Sequence, residues 1–248
     1  MCIRDSTKAL SDNGADVILT YQGEALKKRI VPLSEKVNAK GIFECDVSNE
    51  ESIRSTFDEI HNKYGKIDFI VHAIAYSDKE ELKGKYIETS KKNFLQSMHI
   101  SCYSFTAVAN YASKIMNDGG SMLTLSYYGA EKVIPHYNVM GVAKAALEAS
   151  VMYLSADLGD RAIRVNGISA GPVKTLAASG IGDFRYILKW NEYNAPLKRN
   201  TNLNDVGGAA LFLLSNLSSG TTGEILHVDS GYHVVGMKSP DAPDISVV

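Results

Sequence analysis

The sequence predicts an α/β fold, a doubly wound parallel sheet with helices on both faces. Two observations predict it. Short apolar, β-prone runs alternate with helical stretches from one end of the 248 residues to the other. That alternation implies parallel pairing through right-handed crossovers, with helices packed on each side. No internal repeat, low-complexity tract or linker interrupts it, so residues 1–248 read as one domain.

Taken in order, residues 1–6 form an atypical terminus and Thr7 to Gly14 read as half a helix, with no strand before it. Val17 to Tyr21 follow Asn13-Gly14, a pair that closes helices, and read as a strand. Ile42 to Cys45 form the next strand, ending at Asp46. Ser48 then opens a helix, with Glu51 completing a capping box and Ile53, Phe57, Ile60 and Tyr64 along one face. Ile67 to Val71 make a strand, Lys91 to Met116 a long helix, and Ser121 to Ser126 a strand after Gly119-Gly120. Val139 to Leu158 form an alanine-rich helix, and Arg164 to Ile168 and Ile225 to Val228 complete the strands. The tail, residues 238–248, reads as loose.

Composition narrows the function classes. Hydrophobic residues at 45% and charged residues at 22% suit a soluble protein with a sizeable core. A net charge of -2 gives no reason to expect nucleic acid or an anionic membrane as partner. The longest apolar run, Ala209 to Leu214, falls far below the roughly 18 residues of a membrane span. Three scattered cysteines, Cys2, Cys45 and Cys102, match neither a disulfide framework nor a zinc site and fit a reducing cytoplasm. The six histidines show no ligand spacing, so no metal is expected.

In a doubly wound sheet ligands lie beyond the carboxyl ends of the strands. One candidate pair stands near such an end: Tyr137 and Lys144, seven residues apart, two turns along one helical face. A fixed ammonium beside a phenol helps the phenol serve a developing oxyanion. Spacing alone does not decide the matter, because Tyr21/Lys28 and Tyr76/Lys83 share the interval.

Context does. The run from Leu125 to Lys144, LSYYGAEKVIPHYNVMGVAK, resembles the active-site signature of the NADH-dependent enoyl-(acyl-carrier-protein) reductases, a divergent branch of the short-chain dehydrogenases/reductases. The run from Arg164 to Ile181, RVNGISAGPVKTLAASGI, is similar to that family's cofactor and substrate-loop segment. The resemblance extends from Thr7 to about Gly236 and implies a Rossmann-type fold, cytoplasmic location, a homotetramer, and reduction of a trans-2-enoyl thioester by NADH in bacterial fatty-acid synthesis.

The resemblance also implies roles. Tyr137 hydrogen-bonds the thioester carbonyl, Lys144 holds the nicotinamide ribose, and Tyr127 lines the acyl pocket. Gln22 reads the adenosine ribose, Asp46 and Val47 flank the adenine, and Ile74 packs near the same ribose. Val173 and Thr175 belong to the Pro172–Leu176 cofactor loop. No arginine follows Gln22 to receive a 2′-phosphate, which favours NADH, although Lys27 and Lys28 are close by. Residues 177–194 resemble a substrate-binding loop and helix, where Arg185 and Lys189 offer positive charge to an acidic carrier protein. Ala73 and Ala75 depart from the serine and glycine common in the family, and Gly182 and Tyr186 stand at positions basic in some relatives.

Plainer readings stand beside these. Tyr127 and Tyr128 could be strand-end packing, Asp46 a helix-entry residue, Asn166 a strand polar group satisfied by backbone, and Lys174, Arg185 and Lys189 a solvated face. Ser126 keeps carbonyl reduction open as an alternative. The first strand and glycine-rich turn of a nucleotide-binding unit are missing from the opening, so roughly 20 further residues are expected to be encoded before Thr7. A non-catalytic fragment retaining only the assembly contacts of the long helices is the remaining alternative.

Overall fold

The computed structural model describes residues 3–173 and 183–245. Its elements run α1 (Ile3–Asp12), β1 (Ile18–Tyr21), α2 (Gly23–Lys36), β2 (Gly41–Glu44), α3 (Glu50–Tyr64), β3 (Ile67–His72), α4 (Lys91–Met98), α5 (Ser104–Ile115), β4 (Met116–Ser126), α6 (Asn138–Leu158), β5 (Arg164–Ala170), α7 (Phe184–Asn194), α8 (Leu203–Leu214) and β6 (Ile225–Val228). Every strand pairing is parallel.

The strands form two ladders, β1-β2 and β3-β4-β5-β6. Between β1 and β3 lies a cavity of about 430 Å³, lined by Val17 to Thr20 on one side and Ile67 to His72 on the other. A strand preceding α1 has no counterpart among the described residues. Helix α1 packs on α8 instead, and Leu10, Val17, Leu19, Ile30 and Val37 make a core that reaches Phe69, Val71 and Leu211.

One face of the β3–β6 ladder buries α3, α5 and α6 through Ile53, Phe57, Phe105, Ala112, Leu147 and Val151. The other buries α8, where Val206, Ala210 and Leu213 meet Leu123 and Ile168. By length and composition α6 could cross a bilayer, which the short apolar runs did not suggest. Its Leu147 and Val151 pack on the sheet instead, and Val139 packs with Leu82, Tyr137 and Met140.

Three expected elements differ in detail. Asn49, not Ser48, caps α3, its side chain accepting from the Glu51 and Ser52 N–H groups. Ser48 is diverted to Asp46 Oδ1, donating both its N–H (2.9 Å) and its hydroxyl (2.7 Å). The long helix expected over 91–116 runs helically from Lys91 to Ile115 but widens to a π turn at His99–Tyr103, and π turns gather at functional sites. Around it, Ser101 Oγ donates to Tyr76 O at 3.0 Å and accepts from Tyr76 N at 2.9 Å. Strand β4 starts at Met116, five residues before the expected strand, because Met116 already pairs with Ile67; Gly119, at φ 81°, lies in the irregularity before pairing resumes at Phe69 and Ser121.

Candidate active site

Strand β4 ends at Ser126 and delivers Tyr127 in extended conformation to a short 3-10 turn, Tyr128–Ala130. Tyr137 sits at the N-cap of α6. The Tyr127 and Tyr137 rings meet edge to face, with centroids 4.9 Å apart and planes at 72°. Gly129 makes room for this arrangement: a Cβ there would lie 2.3 Å from Tyr137 Cδ1. The residues flanking Tyr137 are both left-handed, His136 at φ 59° and Asn138 at φ 41°. Such strain in non-glycine residues persists only where the surroundings over-determine it. Here Asn138 Nδ2 donates to Gly84 O at 2.9 Å, and His136 Nε2 lies 2.9 Å from Asp183, the residue that opens α7.

Lys144 lies two turns along α6, buried, with Nζ donating to Leu125 O at 2.6 Å. Burial, followed by the neighbouring tyrosine and Glu148, pushes the Tyr137 phenol well above its ordinary value, and burial does the same to Tyr127. Both phenols are therefore neutral donors across the physiological range. A neutral buried O–H suits stabilisation of a developing oxyanion.

Beside the tyrosines lies a cavity of about 160 Å³, lined by Tyr127, Ile134, Pro172, Tyr186, Trp190 and Tyr232 among others. Trp190 Nε1 donates to Tyr232 OH at 2.8 Å, and Tyr186 stacks on Trp190, so α7 closes one wall. The cavity is mainly apolar, with few polar groups to orient a ligand, as expected of a small-molecule site.

The expected cofactor residues gather at the carboxyl ends of β1, β2 and β3. Gln22 occupies the N-cap position of α2 without a side-chain capping bond, and its side chain reaches Asp46 instead. Burial opposes ionisation of Asp46, but the Ser48 hydroxyl and N–H, then Gln22 and His99, hold its carboxyl below the usual range. Val47 and Ile74 border the 430 Å³ cavity together with Cys45 and His72. Glu44 accepts from Gly23 N at 3.2 Å, which places a carboxylate beside Gln22. Lys27 is held by Glu24 at 3.0 Å, over the Tyr21 ring. Carboxylates and amides fit free ribose hydroxyls, whereas a 2′-phosphate would meet negative charge. Val173 follows β5, and Thr175 lies outside the described residues.

Several further residues were given no role by the sequence. His72 is fully buried, with Nδ1 3.1 Å from Thr124 Oγ1 and Nε2 2.8 Å from Ser104 Oγ. Burial, and then the charge of Lys144, lowers its pKa to about 3. Glu148, one turn beyond Lys144, accepts from the Ser126 hydroxyl. The only sequence signal for this group is a polar residue on a buried strand or helix face, and the partners lie 22 to 52 residues away. Asn166 follows its plain reading: its amide donates to Thr221 O at 2.9 Å and accepts from Glu224 N at 3.1 Å.

The family profile described as Enoyl-(Acyl carrier protein) reductase matches residues 4–233. Enoyl-(acyl-carrier-protein) reductase (NADH) 1 of Rhizobium meliloti is 67% identical over 241 residues, 97% of this chain and 89% of the relative. The FabI enzyme of Rickettsia felis, also named as NADH-dependent, is 57% identical over 90% of this chain and 86% of its own length. Among solved structures, the enoyl-(acyl-carrier-protein) reductase of Anaplasma phagocytophilum in complex with NAD superimposes with a TM-score of 0.94 at 61% identity, covering 99% of this chain and 92% of that one.

Proposed function

The chain belongs to the enoyl-(acyl carrier protein) reductase family, and from that premise we propose how its residues carry the reaction. It is an oxidoreductase that reduces a trans-2-enoyl thioester of acyl carrier protein to the saturated thioester with NADH, in bacterial fatty-acid synthesis.

Bound NADH supplies the hydride that arrives at the β-carbon. As the carbon–carbon π electrons move toward the thioester carbonyl, negative charge grows on its oxygen, and the enolate then takes a proton from solvent at the α-carbon to give the saturated thioester. Tyr137 donates its O–H to that oxygen, and a preorganised donor in a dry site is where such charge is most strongly stabilised. Lys144, fixed by Leu125 O, holds the nicotinamide ribose. Tyr127 packs its edge against Tyr137 and forms the acyl-pocket wall. Gln22, Asp46, Val47 and Ile74 hold the adenosine end, and Val173 and Thr175 belong to the cofactor loop. The observation that carries this reading is that Tyr127, edge to face with the buried Tyr137, lines an apolar cavity. Carbonyl reduction is disfavoured because the Ser126 hydroxyl is engaged by Glu148.

Arg185 and Lys189 are exposed one turn apart on α7, where positive charge would steer an acidic carrier protein. Exposed Tyr103, Met152 and Tyr153 on and beside the long helices support assembly as a homotetramer, and the reading places the enzyme in the cytoplasm. The test is incubation with crotonyl thioester and NADH. Butyryl thioester identified by mass spectrometry supports the function, and recovery of unreacted crotonyl thioester with a folded protein contradicts it.

A further inference from the structure

Helix α6 meets the end of β4 twice. Lys144 Nζ donates to Leu125 O at 2.6 Å, and one turn later the Glu148 carboxylate accepts from Ser126 Oγ. Two side chains of opposite charge thus grip consecutive residues, and the next residue is Tyr127, whose ring meets Tyr137. Ser126 is 5% exposed, so its hydroxyl depends on an internal acceptor.

We propose that Glu148 is a positioning residue for this site: its bond to Ser126 fixes the strand end that presents Tyr127, and its negative charge balances Lys144. The inference rests on the reading of Tyr137 and Lys144 given above. The groups facing Glu148 come from three other elements as well as its own. Lys144 stands on α6 and Ser126 on β4. Glu131 follows the 3-10 turn, and His227 on β6 is 2.6 Å from Glu131. Behind His227, His233 stacks at 4.1 Å and lies 3.0 Å from Asp229. Burial, reinforced by Glu131, holds the Glu148 carboxyl above its ordinary value against the opposing pull of Ser126, His227 and Lys144. Acidification therefore protonates Glu148 early, removing the charge opposite Lys144.

The test compares kcat and KM against pH for the wild-type chain, Glu148→Ala, Glu148→Gln and Ser126→Ala. Glu148→Ala is expected to lower kcat roughly tenfold, the size of one hydrogen bond to a charged group, with KM for crotonyl thioester changed less than about twofold. Glu148→Gln keeps an acceptor for Ser126. Carrying no charge, it should hold kcat above that of Glu148→Ala, at the level the wild-type chain reaches once Glu148 is protonated, and lose the acid limb that Glu148 contributes to the wild-type profile. Wild-type kcat in Glu148→Ala, or an unchanged acid limb in Glu148→Gln, overturns the proposal. Should Glu148→Ala fail to fold, Ser126→Ala removes the same bond from the other side and must lower kcat comparably; full activity there also overturns it. The NADH dissociation constant measured against pH needs no turnover: its acid-side dependence should vanish in Glu148→Gln. That separates failure of this inference from failure of the enoyl-reductase reading, which an inactive wild-type chain would reveal.

Discussion

The ring of Tyr137 lies against the backbone of Gly129 so closely that a methyl group there would come within 2.3 Å of Cδ1 and 2.7 Å of Cε1. Gly141 approaches the same turn from α6, where an added Cβ would lie 2.7 Å from Gly129 O. Glycine is thus required here for close approach rather than for an unusual φ. Gly129→Ala should displace the Tyr137 ring, lowering kcat more than tenfold and destabilising the fold by about 1–3 kcal/mol. Stopped-flow turnover beside urea unfolding checks both effects, and a fully active Gly129→Ala would show that the ring position is not critical.

Removing the phenol separates packing from chemistry. Tyr137→Phe keeps the edge-to-face contact with Tyr127 but loses the donor aimed at the oxyanion. It should lower kcat by about 10²–10³, the range for one oxyanion donor, with little change in melting temperature. Tyr127→Phe keeps the same ring contact and should fall far less.

Lys144 has two tasks. Lys144→Met would leave Leu125 O without its 2.6 Å donor and remove the charge assigned to the nicotinamide ribose. The NADH dissociation constant, read by fluorescence titration, should rise at least tenfold. Unchanged binding would remove Lys144 from the cofactor site.

His72 makes stability depend on pH. Its folded pKa is lowered from 6.5 to about 3, so the unfolded chain binds more protons between those values. Its contribution is fully present above pH 6.5 and is lost as pH falls toward 3, at up to about 1.4 kcal/mol per pH unit. His72→Gln should be less stable at neutral pH yet lose less stability between pH 6.5 and 5. Denaturant unfolding of both proteins across that interval is the check, and parallel curves would contradict it.

Much of the architecture was legible because strands buried on both faces read as apolar runs. Ile67–His72 and Arg164–Ala170 stand within two residues of their expected ends. The π turn at His99–Tyr103 was not legible, since apolar residues on both sides satisfy a continuous helical pattern, while the turn is tied to Tyr76 and Ser104 just after it to His72 of β3. The cap of α3 shifted by one residue because Ser48 and Asn49 are both good caps, and only the fold shows that Asp46 takes the serine. For the site, the long signature around Tyr137 carried the identification. Neither its periodicity nor its spacing could show that Glu148 reaches back 22 residues to Ser126.

The most direct test of enoyl reduction is NADH oxidation with two substrates side by side, crotonyl thioester and acetoacetyl thioester, each repeated with NADPH. The account predicts rapid oxidation of NADH with crotonyl thioester, little with acetoacetyl thioester, and weak use of NADPH because Glu44 stands beside Gln22. Oxidation with acetoacetyl thioester while crotonyl thioester stays inert would contradict it and assign the Tyr137–Lys144 pair to carbonyl reduction.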